Sequence, residues 1–285
     1  MFRLHAPTAI LAAATLAFAP VVTGPAMSQV ARIEAASAKD ELYDSLGIDR
    51  MVSVVREEGV AYALDLEAAM FPGRGGAGWE STVERIYDEA ALKQAFRVAF
   101  SSAMPAEHVP PVLEFFTTDA GQDIVAREIE ARTALIDPEM ERTALESWRA
   151  MQADDDPRIP LIEAFIAEND LIDANVAGAM NSNLAFWMGL SDGSATDLTE
   201  RDMLADVWAQ EPGIRADTES WIHAFTALAY GGLPEGTLSA YVELSTTPEG
   251  RALNAALFTA FDTVFEDLSR TLGRAAARIV GSQDI

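Results

Sequence analysis

The sequence predicts an all-α fold of two tandem, related helical-bundle units joined by an acidic linker. Three observations carry this expectation. Apolar residues recur at spacings of three and four along nearly the whole chain, the period of helices with one buried face. No run of alternating Val, Ile, Thr or Tyr lies between turn signals, as a sheet requires. The phrase "EFFTTDAGQ" at Glu114 returns as "ELSTTPEGR" at Glu243, 129 positions later.

The first 28 residues have the pattern of a secretory signal. Arg3 supplies the positive start, Ala9 to Val22 form an apolar run, and Ala26 and Ser28 place small residues at −3 and −1. Pro20, Gly24 and Pro25 break that run short of the roughly 20 residues that a membrane span needs. Cleavage after Ser28 is therefore expected, with the periplasm as the address and no transmembrane segment in the mature chain. The 285 residues contain no cysteine, which excludes disulfide staples, thiolate nucleophiles and Cys-bound metal. A formal net charge of −25 repels phosphate backbones and anionic membrane faces but tolerates cationic partners. Nucleic acid is thus an excluded partner.

The first unit is expected over residues 29–153. Its glycine-rich stretch "FPGRGGAGW" (71–79) lacks both a preceding strand and the Gly-Lys-Ser/Thr ending of a phosphate loop, and so reads as a turn. Ser81 and Glu84 have the spacing of a capping box, predicting a helix start with Val83, Ile86, Leu92, Phe96 and Phe100 behind it. The linker, 154–160, holds Asp154, Asp155 and Asp156 ahead of Pro157. These carboxylates lack the alternation and the glycine of a calcium loop, so a solvated joint is expected rather than a metal site. The second unit covers 161–285. Thr199 and Asp202 predict a capped helix carrying Leu204, Val207 and Trp208, and "GLSDGSATD" (189–197) predicts a loop. Leu253, Leu257, Phe258, Phe261, Val264, Phe265, Leu268 and Leu272 fall on one stripe of a single helix.

Displacing the chain by 129 positions extends the repeat well past the quoted words. Asp88, Phe96, Pro105, Glu114, Thr117, Thr118 and Gly121 fall on Asp217, Phe225, Pro234, Glu243, Thr246, Thr247 and Gly250. Apolar positions match in kind, as Leu92 with Trp221, Val112 with Tyr241 and Phe115 with Leu244. Gap-free correspondence of this kind predicts a duplicated helical unit. The motifs themselves (114–122 and 243–251) read as a helix–turn–helix corner. Thr118 and Thr247 have the hydroxyl to cap the next helix. Pro248 suits a first helical position and Asp119 a positive helix end. Gly121 and Gly250 let two helices approach closely.

The stretch Phe115-Phe116-Thr117-Thr118-Asp119-Ala120-Gly121-Gln122 resembles the Phe-aromatic-x-Ser-Pro-x-Gly-Gln phrase of a bacterial exported family, the domain of unknown function 2059. It has Thr for Ser and Asp for Pro. The second copy, Leu244 to Gly250, keeps the proline at Pro248 but lacks the aromatic pair. The resemblance covers some 50 residues in each half and implies two diverged tandem copies of a small all-helical periplasmic module, without an established activity.

No arrangement of catalytic residues emerges. Gly189-Leu190-Ser191-Asp192-Gly193 matches a nucleophile elbow, but that elbow needs a strand before the serine, and here the preceding residues read as the end of a helix. His108 and His223 have no second histidine at ligand spacing. No catalytic residue, cofactor or metal is therefore assigned, and an enzyme is not expected. Trp79 and Trp208 are again 129 apart; such a pair fills space between helices or lines a groove. The expected function is a non-catalytic interaction or scaffold module with an unidentified periplasmic protein partner. The alternative is a carrier of an apolar or lipid-like small molecule in an inter-helix groove.

Overall fold

A computed structural model describes residues 29–193, 196 and 198–281; the expected signal segment lies outside them. Among the described residues the chain is all-helical. The elements are α1 (Gln29–Ser45), α2 (Ile48–Met70), α3 (Gly76–Ile86), α4 (Glu89–Ala103), α5 (Val109–Phe116), α6 (Asp119–Ala134), α7 (Pro138–Ala153), α8 (Ile159–Glu168), α9 (Leu171–Asp192), α10 (Glu200–Tyr230), α11 (Glu235–Thr246) and α12 (Pro248–Val280). A single 3-10 turn, Ala106–His108, leads into α5. No helix among the described residues is long and apolar enough to cross a membrane.

The repeated phrase forms the same corner twice. Thr118 precedes α6 and Thr247 precedes α12, both in extended conformation with φ near −75° and ψ of 157°. Each hydroxyl accepts the amide of the glycine three residues on, Gly121 or Gly250, at 3.0 Å in both copies. Each also donates back to a carbonyl of the preceding helix, Phe115 or Leu244, at 2.7 Å. The glycines are required by space. A Cβ on Gly121 would stand 2.4 Å from the Phe115 carbonyl oxygen, and one on Gly250 would stand 2.0 Å from that of Leu244. Pro248 opens α12 at its first position, where no amide is missed.

Other elements differ from their sequence expectations. Ser81 lies inside α3, where it accepts from Arg85, and opens nothing. The start of α4 is set by Asp88, whose carboxylate takes the Ala91 amide at 2.8 Å. Leu92, Phe96 and Phe100 therefore belong to a different helix from Val83 and Ile86. Thr199 and Asp202 do form the reciprocal capping box of α10. The first glycine-rich stretch is a short turn after Phe71, since α3 already begins at Gly76. Most of the second is the end of α9, with Gly193 as its cap; part of its remainder lies outside the described residues. At 154–160 the chain turns once between α7 and α8, and the Asp156 carboxylate takes the amide and guanidinium of Arg158.

The hydrophobic cores do not divide at that turn. One joins α1 to α5 with Phe186 and Leu190 of α9 and the apolar stripe of α12. The other joins residues of α6, α7 and α8 to α9, α10, α11 and Phe258. Helix α12 packs on α4, and its counterpart α6 packs on α10, the counterpart of α4. Helix α12 also packs extensively on α9, within residues 161–285. The Phe96 ring meets Phe261 at 4.6 Å and Phe265 at 6.2 Å between centroids. Six buried members of the predicted α12 stripe face this core, with Leu257 partly buried beside them, and the seventh, Phe258, faces the other.

The pairing of α9 with α12 is held close by small residues. A Cβ on Gly189 would stand 2.2 Å from the Arg270 carbonyl oxygen, and one on Gly273 would stand 2.3 Å from that of Phe186. Gly189 is thus a packing residue and not part of a nucleophile elbow: Ser191 ends a helix that no strand precedes.

The corner predicts its own sensitivity. Gly250→Ala and Gly121→Ala gain up to about 1 kcal/mol of helix propensity. The overlap outweighs this, because the opposing atom is backbone; a net loss of about 1–3 kcal/mol is expected. Thr118→Ala and Thr247→Ala each cost about 1 kcal/mol as lost caps. Urea denaturation of the four single variants measures all of this, and an unchanged Gly250→Ala midpoint would contradict the packing described.

Candidate functional site

An inter-helix cavity of about 140 Å³ lies where the two motif corners meet. Helix α6 contributes Val125, Glu128 and Arg132; α12 contributes the residues 129 positions further on, Asn254, Leu257 and Phe261. The same face of both repeats thus borders one space, but with different chemistry. Phe116 and Ser245 form another equivalent pair, and Gly250 itself lies on the wall.

Aromatic side chains form much of the lining. Phe165 is edge-on to Tyr230 at 5.3 Å and tilted against Tyr241 at 4.7 Å. Trp221 and Phe225 stack at 5.2 Å with 11° between their planes. The Phe115–Phe116 pair of the motif buttresses Tyr241, Phe115 stacked on it and Phe116 edge-on, both at 5.9 Å. Leu46, Ile48, Met51, Leu171, Leu244 and Leu253 supply the aliphatic surface.

The polar lining is sparse and, apart from one group, tied down. Arg132 is buried and makes two bonds to Glu58 of α2, at 2.6 and 3.1 Å, with its guanidinium 5.7 Å from the centroid of Trp221. Asn169 donates to Ser245 Oγ at 3.0 Å, and Asn254 donates to the Asn169 carbonyl at 3.0 Å. Glu128 accepts from the Tyr230 hydroxyl at 2.6 Å and the Tyr241 hydroxyl at 3.1 Å, both on Oε1. Glu128 is half-buried and lines the cavity. Burial pushes its pKa up to about 7, and the two tyrosine bonds hold it down from a higher value. Burial beside Glu128 raises both tyrosine hydroxyls well above their ordinary range, so they act as donors.

Trp79 and Trp208 have different surroundings. Trp79 is 1 % exposed, its indole N–H bonded to the Ala63 carbonyl at 2.9 Å and its ring edge-on to Phe71. Trp208 is 66 % exposed on α10. Position 79 faces a filled core and position 208 faces solvent, so the equal offset carries no common environment. His223 stacks on Trp148 at 4.7 Å, and burial lowers its pKa. His108 stands 3.8 Å from Glu249. Among the described residues no group of three or more acidic or histidine side chains is placed to hold a metal.

Sequence reasoning missed Glu128, Tyr230 and Tyr241 as site residues and placed Trp221 only as an apolar match of Leu92. A signal for Glu128 existed. Gly121, Val125, Glu128 and Arg132 are spaced four, three and four apart, which puts two charged residues on the stripe that α6 buries. Comparison with protein-family models, with curated proteins and with solved structures finds no match to this chain.

The buried carboxyl makes stability depend on pH. Its folded-state pKa of about 7 exceeds its ordinary 4.5, so the native state holds a proton that the unfolded chain releases across that window. The contribution is fully present below the unfolded value and is lost as the pH rises through about 7. Asp262, buried on α12 beside Glu266 and likewise pushed up to about 7, acts in the same direction. The thermal midpoint is expected to fall between pH 5 and pH 8, with up to about 3 kcal/mol from Glu128. Glu128→Gln should remove roughly half of that slope and raise the midpoint at pH 8; calorimetry across this range checks both.

Proposed function

We propose that this protein binds a small, largely apolar molecule in the cavity between α6, α10, α11 and α12. One observation carries the reading: a space of about 140 Å³ enclosed largely by aromatic and aliphatic side chains, with few polar groups. Ligand sites are concave, mostly apolar and marked by a small number of placed polar groups. A space of this size suits a molecule of about the bulk of benzene, which an engineered cavity of ~150 Å³ is known to take. That is too small for a whole lipid, so the carrier reading narrows from lipid-like cargo to compact molecules.

Around this core stand the readings made from the sequence. The chain is proposed to be exported to the periplasm by its first 28 residues, and to be two diverged tandem copies of the domain of unknown function 2059. The matched corners at Thr118 and Thr247, identical in their cap distances, support the tandem reading. No enzymatic role is proposed, since the cavity offers one carboxyl and two tyrosines but no nucleophile paired with a base.

A second reading, an interaction module, has its own observation. Between α4 and α12 runs an open groove of about 940 Å³ lined by Leu92, Ala95, Val98, Ala99 and Leu268, and Val98 is 55 % exposed. Thermal unfolding in buffer with and without saturating toluene separates the two. Uptake raises the midpoint by several degrees, and Leu257→Phe, which fills the cavity, cancels the rise. No rise in the unmodified protein would remove the cavity reading and leave the interaction module.

A further inference from the structure

A purely apolar ligand leaves one feature of the cavity without a purpose. Glu128 spends both tyrosine bonds on Oε1, and among the described hydrogen bonds none reaches Oε2. A half-buried carboxylate beside apolar walls gains when a proton or a positive donor meets its free oxygen. The lining offers no such donor. Arg132, one turn away on the same helix, is committed to Glu58 of α2 and to the face of Trp221. The Asn169 and Asn254 amides are bonded to Ser245 and to the Asn169 carbonyl. Tyr230 of α10 and Tyr241 of α11 already donate to Oε1, while the lining residues of α12 and the Phe165 ring of α8 carry no charge. Oε2 is thus left on the cavity side for a proton or an incoming donor.

The rest of the wall suits a cation. The rings of Phe165, Trp221, Phe225, Tyr230 and Tyr241 border the same space, and aromatic faces attract ammonium groups most when water is excluded. The net charge of −25 draws cations toward the molecule and repels fatty acids, phosphates and other anions.

We infer that the cavity takes a small protonated alkylamine, its N–H donating to Glu128 Oε2 and its hydrocarbon part lying against the aromatic rings. This rests on the reading of the cavity as a ligand site and names the class of molecule that fits it. Arg132 does not oppose the cation with a full charge, because Glu58 neutralises it. The two tyrosine bonds hold Glu128 in position and favour its ionised form. Binding then depends on that ionisation, so it strengthens as the pH rises through about 7.

The test is isothermal titration of the full mature chain with cyclopentylammonium chloride and, separately, with cyclopentanol, which has nearly the same shape without the charge. Sodium chloride at equal ionic strength is the blank. At pH 8 the ammonium ion should bind at least about tenfold more tightly than the alcohol, the usual scale for a buried charge pair. At pH 5 its affinity should fall by up to roughly a hundredfold, following the ionised fraction of a carboxyl with pKa near 7. Glu128→Gln, checked for cooperative unfolding, should bind the ion at least about tenfold more weakly and the alcohol unchanged. Equal binding of alcohol and ion, or alcohol binding that improves toward pH 5, would overturn the amine while leaving a ligand site in place. Binding of neither compound to the unmodified protein would overturn the amine and the ligand site together.

Discussion

Everything in this structure depends on a contact between a glycine and a carbonyl oxygen, made twice. At each corner a threonine hydroxyl accepts an amide to cap one helix and donates its proton to a carbonyl of the helix before. The glycine three residues on lets the two helix ends approach until a single methyl would overlap backbone. That overlap fixes the direction in which α6 and α12 leave their corners. Because the two corners are alike, the two helices leave them alike, α6 to pack on α10 and α12 to pack on α9 and α4.

The cavity follows from this arrangement. Faces of α6 and α12 that lie 129 positions apart border the same space, one side polar and the other apolar: Glu128 matches Leu257 in that offset, and Arg132 matches Phe261. The charged side carries its costs in a ladder of partners: Glu58 holds Arg132, and Tyr230 with Tyr241 hold Glu128. Tyr241 is in turn backed by the Phe115–Phe116 pair of the motif, so the corner and the cavity are one packed unit.

A second close contact, the glycine seam between α9 and α12, anchors the far end of α12. Gly189 and Gly273 admit backbone at distances that no side chain would allow. Asp192 then takes Arg270 and Arg274 at the exposed end of the same seam, contacts that solvent screens and that add little. Shape rather than charge decides this pairing.

Much of this was legible in the residues alone, where the cause is local. Helical period, the stripe of α12, the threonine caps and the crowding at Gly121 and Gly250 depend on atoms within a few positions of one another. Helix starts read from Ser81 and Glu84 failed because the pattern alone does not say which of two nearby polar residues lies free of a helix; Asp88 does. Whether Trp79 and Trp208 fill space or line a groove could not be read from their spacing, because surroundings are set by distant chain: one ring is core and the other meets solvent. Glu128 stood on a buried stripe in the sequence, but its chemistry needed Tyr230 and Tyr241, more than 100 positions away, to be brought against it. The sequence by itself determined the helices and their two corners, since hydrogen bonds and steric limits within a turn act at short range. Only the tertiary structure decided that the cores run across the turn at 154–160 and that a carboxylate faces an aromatic cavity, because burial and dielectric are properties of the whole packed chain.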